Sequence, residues 1–375
     1  GDSGSWVAND TICRKKTASI SVPCNPTAAG FDPEGDSEGP LGDGLGTRLV
    51  SPGDVTGDGV PDLIASAPYA FAHGQYLAGR VYVISGAVLA ETAIDFVSST
   101  VAGDLGRSFE GEQGVWQSKL WSLTGAHREW DGHNAGFGLA TGDFDGDGVS
   151  DVAIGAPFAD PAGSQVNGGK TYVVPLGTGT SGGWLGTLTD ATDLTGTGDS
   201  EALPGRVLSG KSSQSYLWGE VGSLLSNAGD ADGDGKDDLF VGDVSWWFVN
   251  YLVPGVASGD QTPVDLTSGD GARAIDTIDF SLQGIDAFIQ PFLITSGKTE
   301  LFSRGAGVGD VNGDGLGDLA IPYVEKESGV GQLELAVFFG APGGDLDTTL
   351  PDSGVGGFVV EAARIMLPNG PTGGS

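Results

Sequence analysis

Asp143-Phe-Asp145-Gly-Asp147-Gly-Val-Ser-Asp151 is one of four copies of a nine-residue pattern. The others are Asp54-Val-Thr56-Gly-Asp58-Gly-Val-Pro-Asp62, Asp230-Ala-Asp232-Gly-Asp234-Gly-Lys-Asp-Asp238 and Asp310-Val-Asn312-Gly-Asp314-Gly-Leu-Gly-Asp318. Each places oxygen-bearing side chains at positions 1, 3, 5 and 9 and glycine at positions 4 and 6. Hard cations such as Ca2+ take about six to eight oxygen ligands, so alternate acidic side chains on a tightly turned backbone suit them. The glycines permit the positive φ angles that wrap such a loop around an ion.

An EF-hand opens in the same way but needs a carboxylate at its twelfth position, between two helices. Here that position is Ala65, Ile154, Val241 or Ile321, which excludes the EF-hand. The residues that follow each loop are short apolar runs halted by Gly or Pro, such as Val152-Ala-Ile-Gly-Ala-Pro157 and Leu319-Ala-Ile-Pro322. Such runs read as a strand and then a turn. Each loop is therefore expected to join two strands as a metal-binding hairpin, and the regular strands on both sides argue against an Asp/Gly-rich disordered segment.

The residues before the loops repeat as well, with Gly136-Phe-Gly138-Leu-Ala-Thr-Gly142 before the second and Gly305-Ala-Gly307-Val-Gly309 before the fourth. Together with Gly155-Ala-Pro157 after the second loop, this pattern resembles the FG-GAP repeats of integrin α-chain β-propellers and their bacterial secreted relatives. The resemblance runs from about residue 42 to residue 342 through its four repeats. It implies an all-β, bladed propeller with Ca2+ held in a hairpin of each matching blade. The ligands it implies are Asp54, Thr56, Asp58 and Asp62; Asp143, Asp145, Asp147 and Asp151; Asp230, Asp232, Asp234 and Asp238; and Asp310, Asn312, Asp314 and Asp318. A carbonyl oxygen at the seventh position, from Val60, Val149, Lys236 or Leu316, is a further expected ligand in each loop.

The loops begin at residues 54, 143, 230 and 310, spacings of 89, 87 and 80 residues. Each period therefore holds one blade with an elaborated connection, or two lean blades. Candidate strands in the connections (Ile94–Ser99, Val115–Leu123, Arg273–Leu282, Phe288–Ser296) and a decayed loop at Asp193-Leu-Thr195-Gly-Thr197-Gly-Asp-Ser-Glu201 suggest degenerate blades. Seven blades is the favoured count, with four to six open. Third strands are expected at Gly79–Ile84, Lys170–Val174, Trp246–Val253 and Gln332–Phe339. The propeller is assigned to residues 42–367, after an N-terminal segment of residues 1–41 and before a Gly/Pro-rich linker or tail at 368–375. A strand over Ala18–Val22 is expected to pair with the last blade.

The chain has 375 residues, 67 of them glycine, without a collagen period; tight turns in an all-β fold account for that excess. A formal charge of −33 argues against nucleic acid and anionic membrane as partners, since both attract basic surfaces. The expected ligand positions of the four loops carry fourteen of the carboxylates, and the remainder form a self-repelling acidic surface. No apolar run approaches the ~18 residues of a membrane span, so no membrane insertion is expected. Cys13 and Cys24 are the only cysteines, and a disulfide between them is the expected state in an extracellular protein. The absence of an initial Met and of a visible signal peptide reads as a mature or excised product.

Several other stretches carry weaker chemistry. His127-Arg-Glu129-Trp-Asp131-Gly-His133 sets two histidines beside two carboxylates in an expected loop; it reads as a polar surface rather than a metal or acid–base site. Gly1-Asp-Ser3-Gly-Ser-Trp6 resembles the nucleophile loop of trypsin-like proteases over a few residues, without the His and Asp that precede it in that family. Trp116, Trp121, Trp130, Trp184 and Trp218 in the connections fill space between blades or stack on sugar rings. No His or lone Glu recurs beside the loops as a catalytic metal requires, so the ions are expected to be structural, each adding roughly 0.5–1.5 kcal/mol in millimolar Ca2+.

The function expected is binding: an extracellular or cell-surface module for adhesion, matrix attachment or surface assembly, non-catalytic, with a glycan, an extracellular protein or copies of itself as partner. A secreted hydrolase or lyase acting on polysaccharide or lipid, and a subunit of an extracellular filament, are the alternatives.

Overall fold

In the computed structural model, residues 44–70, 78–89, 106–111, 133–159, 168–176, 192–194, 205–210, 221–243, 250–266, 305–327 and 330–344 are described, together with the strand segments 6–9, 12–15, 20–23, 94–95, 115–122, 125–131, 273–275, 300–301 and 357–361. Among these residues the secondary structure is β, in six sheets, apart from single helical turns at Gly86–Leu89 and Pro342–Gly344. No helix among them is long and apolar enough to cross a membrane.

Four of the sheets are built by the four repeats, each around an antiparallel meander; the first and second add a parallel outer strand, Thr192–Asp193 and Val264–Asp265. In the second, Gly138–Gly142, Asp151–Ala156, Lys170–Val174 and Arg206–Ser209 follow one another across the sheet. The first uses Leu49–Gly53, Asp62–Ala67, Arg80–Ile84 and Gly106–Glu110. The third uses Val221–Gly229, Asp238–Asp243, Asn250–Val253 and Arg273–Ile275. In the fourth, Ala306–Gly309 and Glu300–Leu301 both pair with Asp318–Glu327, which is followed by Val330–Phe338 and Gly357–Glu361.

The sheets stack face to face in sequence order, and strand alternation decides which side each residue fills. Ile154 and Val152 face the first sheet, in a core with Ile64, Val81, Val83 and Phe109. Their neighbour Ala153 faces the third sheet, with Leu239, Val241 and Tyr251. One residue along, Phe240 turns away from that core into another with Leu319, Ile321 and Phe338 of the fourth sheet. Strands buried on both faces carry near-continuous apolar runs, which is why Asp151–Ala156 has no exposed residue. The innermost strands of adjacent sheets come so close that a Cβ on Gly138 would lie 2.2 Å from the Gly222 carbonyl oxygen, and one on Gly307 would lie 1.8 Å from that of Asn227; Gly155 on the second strand is as tight, at 1.9 Å from the same Gly222 oxygen. This succession of small sheets, touching through their first strands, is a β-propeller-like arrangement.

Several expectations are met and others corrected. The predicted strand Lys170–Val174 is present at those bounds, and the first and fourth repeats have their third strands at Arg80–Ile84 and Val330–Phe338. In the third repeat the strand is Asn250–Val253, and Trp246 and Trp247 lie outside the described residues. The strand Ile20–Pro23 pairs with Ile12–Lys15 and, in parallel, with Ile94–Asp95; it does not join the last repeat's sheet. The segment containing His127 is not a loop: Gly125–Asp131 is a strand paired with Val115–Ser122, with Trp130 opposite Trp116. Its three consecutive polar residues, His127-Arg-Glu129, break the polar–apolar alternation by which a strand is read from sequence. Of the decayed loop only Asp193 and Leu194 are described: Thr192–Asp193 pairs in parallel with Phe109 and Glu110 as an outer strand of the first sheet, Leu194 is buried, and residues 195–201 lie outside the described residues. Cys24, and with it the expected disulfide, lies outside the described residues, as do Phe288–Ser296 and the tail.

Candidate metal centres

Each nine-residue loop connects the innermost strand of its sheet to the next one, and its ninth residue is the first residue of that second strand. This placement buries the ninth-position carboxylates: Asp62, Asp151, Asp238 and Asp318 are at most 2% exposed. The carboxylates at positions 1, 3 and 5 stand at the rim, half-buried or exposed. The glycines at positions 4 and 6 have the expected positive φ, 78° and 87° at Gly57 and Gly59 and 81° and 93° at Gly313 and Gly315.

The turn is held by its own first carboxylate. Asp54 Oδ1 accepts from the amides of Gly57 (2.7 Å) and Asp58 (3.1 Å), and Oδ2 from Gly59 (2.8 Å). Asp230 and Asp310 repeat this arrangement with Gly233, Asp234 and Gly235, and with Gly313, Asp314 and Gly315. At position 5, the carboxylate accepts from the amide of the seventh residue in every loop: Val60 to Asp58, Val149 to Asp147, Lys236 to Asp234 and Leu316 to Asp314, at 2.8–2.9 Å.

The buried ninth carboxylate is anchored from two directions. Its Oδ2 accepts from the amide of residue 2 or 3 of the loop, as in Val55 to Asp62 and Ala231 to Asp238. Its Oδ1 accepts across the sheet from the amide of a glycine just past the third strand: Gly86 to Asp62, Gly255 to Asp238 and Gly340 to Asp318, each at 2.8–2.9 Å. The second repeat departs from this. Leu176, the residue two past Val174, replaces the glycine and turns into the core. Asp151 Oδ1 is then buried without a hydrogen-bond partner, and so is Asp143 Oδ1.

These positions bring acidic oxygens together. Ligand atoms from Asp54, Asp58 and Asp62, from Asp143, Asp145 and Asp151, and from Asp230, Asp232 and Asp234 lie within 4.8 Å of one another in each group. In the fourth loop, by contrast, Asn312 Nδ2 donates to Asp314 Oδ2 at 2.8 Å. Thr56 donates its hydroxyl to Asp62 at 3.1 Å, and Lys236 Nζ pairs with Asp234 Oδ2 inside the third group. Burial, followed by the charges of Asp145, Asp147 and Asp143, pushes the Asp151 carboxyl up to about 8. Burial likewise raises Asp238 to about 7, and Asp145 and Asp232 are shifted upward from the same cause. Asp58 is lowered, chiefly by the Ser85 hydroxyl that donates to it.

Unpartnered carboxylate oxygens in a buried site are costly, and a divalent cation removes both the missing contact and the mutual repulsion. The all-oxygen donor set suits a hard cation. The residues present in the second loop therefore fit such an ion.

Sequence reasoning did not find the residues that support the loops from outside. Asp237 N donates to Asp143 O (2.9 Å), Val256 N to Phe144 O (2.9 Å), Gly317 N to Asp230 O (2.9 Å) and Ala341 N to Ala231 O (2.8 Å). The second, third and fourth loops are thereby linked in a chain, each held by the one that follows. The recurrence of Gly86, Gly255 and Gly340 at one register position was the available signal.

Residues 47–84 and 135–174 match the FG-GAP repeat family. The chain carries FG-GAP repeats. The two matched stretches contain the first and second loops, and the third and fourth loops share their FG-GAP spacing and their hydrogen bonds. In these repeats the glycines of the inner strand and of the Gly-Ala-Pro turn are the points where neighbouring sheets approach one another. No curated protein shows significant similarity to the chain.

Proposed function

We propose that the chain is an extracellular, calcium-stabilised β-propeller whose work is binding rather than catalysis, in adhesion, matrix attachment or surface assembly. The observation that carries the calcium part is the second loop, where two buried carboxylate oxygens lack any partner among three converging acids. Ca2+ there supplies charge neutralisation and coordination. Side chains at positions 1, 3, 5 and 9 and the carbonyl at position 7 are its ligands in each of four sites. A requirement for millimolar Ca2+ places the protein outside the cell, where that concentration is met. The partner is a glycan or extracellular protein, or a further copy of the chain.

Each repeat contributes one blade, because consecutive repeat sheets share cores with no other sheet between them. A seven-bladed ring needs further blades from elsewhere in the chain, and the sheet formed by Trp6–Asn9, Ile12–Lys15, Ile20–Pro23 and Ile94–Asp95 is one candidate.

Calorimetry in 2 mM Ca2+ and in EDTA tests the reading, followed by a screen against glycans and matrix proteins with particle size recorded. A melting temperature several degrees lower in EDTA, with saturable binding or growth in size that requires Ca2+, is expected. An unchanged melt would overturn the calcium part, and silence in both binding and size would overturn the binding part.

A further inference from the structure

A cavity of about 200 Å3 opens between the second and third repeat sheets, beneath the segment of residues 254–261 that leaves the third sheet. At about 30 Å3 per water, it has room for a handful of waters or for one small ring. Its lining is mainly apolar, from Phe144, Leu208, Leu239 and Val253 among others, and four charged side chains break that surface. Two are Asp145 and Asp151 of the second loop, the third is Arg206 from the fourth strand of the same sheet, and the fourth is the exposed Asp260, whose charge faces Arg206.

The polar groups here constrain what can enter. Asp151 is 1% exposed and is among the residues around the cavity, and its Oδ1 is buried without a partner. Asp145 is held at the wall by the Ser258 hydroxyl. Arg206 donates Nε–H to Thr262 O and Nη1–H to Pro254 O, both at 3.3 Å, which engages only part of its donor fork. The cavity thus offers acceptors at one place, donors at another and apolar surface between them. Four loop carboxylates against one divalent ion leave the loop net negative, so an anion is repelled there. A simple organic cation gains nothing from Arg206. A neutral polyol satisfies every group at once. Adjacent hydroxyls donate to carboxylates while their oxygens coordinate a hard cation, a further hydroxyl accepts from Arg206, and the C–H face lies on Phe144.

We infer that the inter-sheet cavity beside the second loop is a glycan-binding site, taking a single sugar ring through a vicinal pair of hydroxyls. The inference rests on the calcium reading of that loop. Neither the first nor the fourth loop lines this cavity, and the third contributes no carboxylate to it, so the second loop alone carries the site.

Saturation-transfer NMR on the full chain with the methyl glycosides of mannose, galactose, fucose and N-acetylglucosamine, in 2 mM Ca2+ and in EDTA, tests it. At least one glycoside is expected to bind saturably, with binding lost in EDTA. Ala257→Trp, at an exposed position on the cavity mouth, is expected to abolish binding while keeping the rise in melting temperature with Ca2+. Arg206→Gln is expected to weaken binding about tenfold, again with the calcium response kept. Absence of binding by all four glycosides, or binding unaffected by Ala257→Trp, overturns the proposal while Ca2+ still raises the melting temperature. If Ca2+ has no effect on the melt, the calcium reading falls instead, and sugar binding that persists in EDTA would then be assigned to a different chemistry.

Discussion

Asp237 and Asp143 are joined twice: the Asp237 amide donates to the Asp143 carbonyl at 2.9 Å, and the Asp237 carboxylate accepts from the Asp143 amide at 3.0 Å. The two residues are 94 positions apart and belong to different metal loops. Asp237 is not among the expected ligands, yet it fixes the first residue of the neighbouring loop. The same carboxylate oxygen also accepts from Asn227 Nδ2 at 2.8 Å.

Replacing Asp237 by Ala leaves the Asp143 amide and the Asn227 amide group without their acceptor. A loss of about 1–3 kcal/mol in unfolding free energy is expected from unsatisfied donors of this kind. Calcium affinity at the second loop should fall too, although none of its ligands has changed. Urea unfolding and calorimetric titration with Ca2+ measure the two effects; a stability loss with every calcium affinity intact would separate the loops energetically.

The calcium-free protein should lose stability as pH rises. Asp151 and Asp238 titrate near 8 and 7 in the fold, against about 3.9 for an unfolded Asp. Between these limits the folded state binds more protons than the unfolded one, so unfolding free energy falls with pH from about 4 to about 8. Bound Ca2+ requires the ionised forms and reverses the trend. Melting curves at pH 5 and 8 in EDTA should differ in favour of pH 5, and ion binding near pH 7 should release protons, seen as a buffer-dependent heat. A melt in EDTA that rises with pH contradicts this.

Lys236 places its ammonium on Asp234 inside the third loop. Removing it in Lys236→Ala frees that oxygen and one competing positive charge, so the affinity of the third site for Ca2+ should rise by a few-fold. The first and fourth loops, with Thr56 and Asn312 in place of an acid, should remain the weaker sites. Titrations of the wild type and the variant under low salt report both rankings.

Gly155 has no room for a side chain, since a Cβ would lie 1.9 Å from a backbone oxygen of the next sheet. Gly155→Ala should therefore cost at least about 1–3 kcal/mol, the usual range for overpacking, with little relief from rotamer changes. Gly259→Ala is a control for space, with nothing within 4 Å, though its φ of 86° carries the strain of a left-handed residue. Phe240→Ala, which empties the core between the third and fourth sheets, should cost about 3–5 kcal/mol. Denaturant midpoints rank the three.

The sequence by itself determined the loops, their glycine turns, the strand after each loop and the alternation along those strands. These features are set by φ/ψ preference and by a period of two, both of which act within a few residues. It also placed the ninth carboxylate at the end of the loop, directly before the strand; the structure makes Asp62, Asp151, Asp238 and Asp318 the first strand residues and buries them. Only the tertiary structure decided what stands opposite the loop residues: Asp237 against Asp143 from the neighbouring repeat, Gly255 against Asp238 across one sheet, and no partner for one buried oxygen of Asp151. It likewise made Thr192–Asp193 an edge strand of the first sheet, paired in parallel with Phe109 and Glu110. The partners in these contacts come from different strands, and several from different repeats, and their identity depends on how sheets stack, a long-range packing outcome that no local pattern encodes.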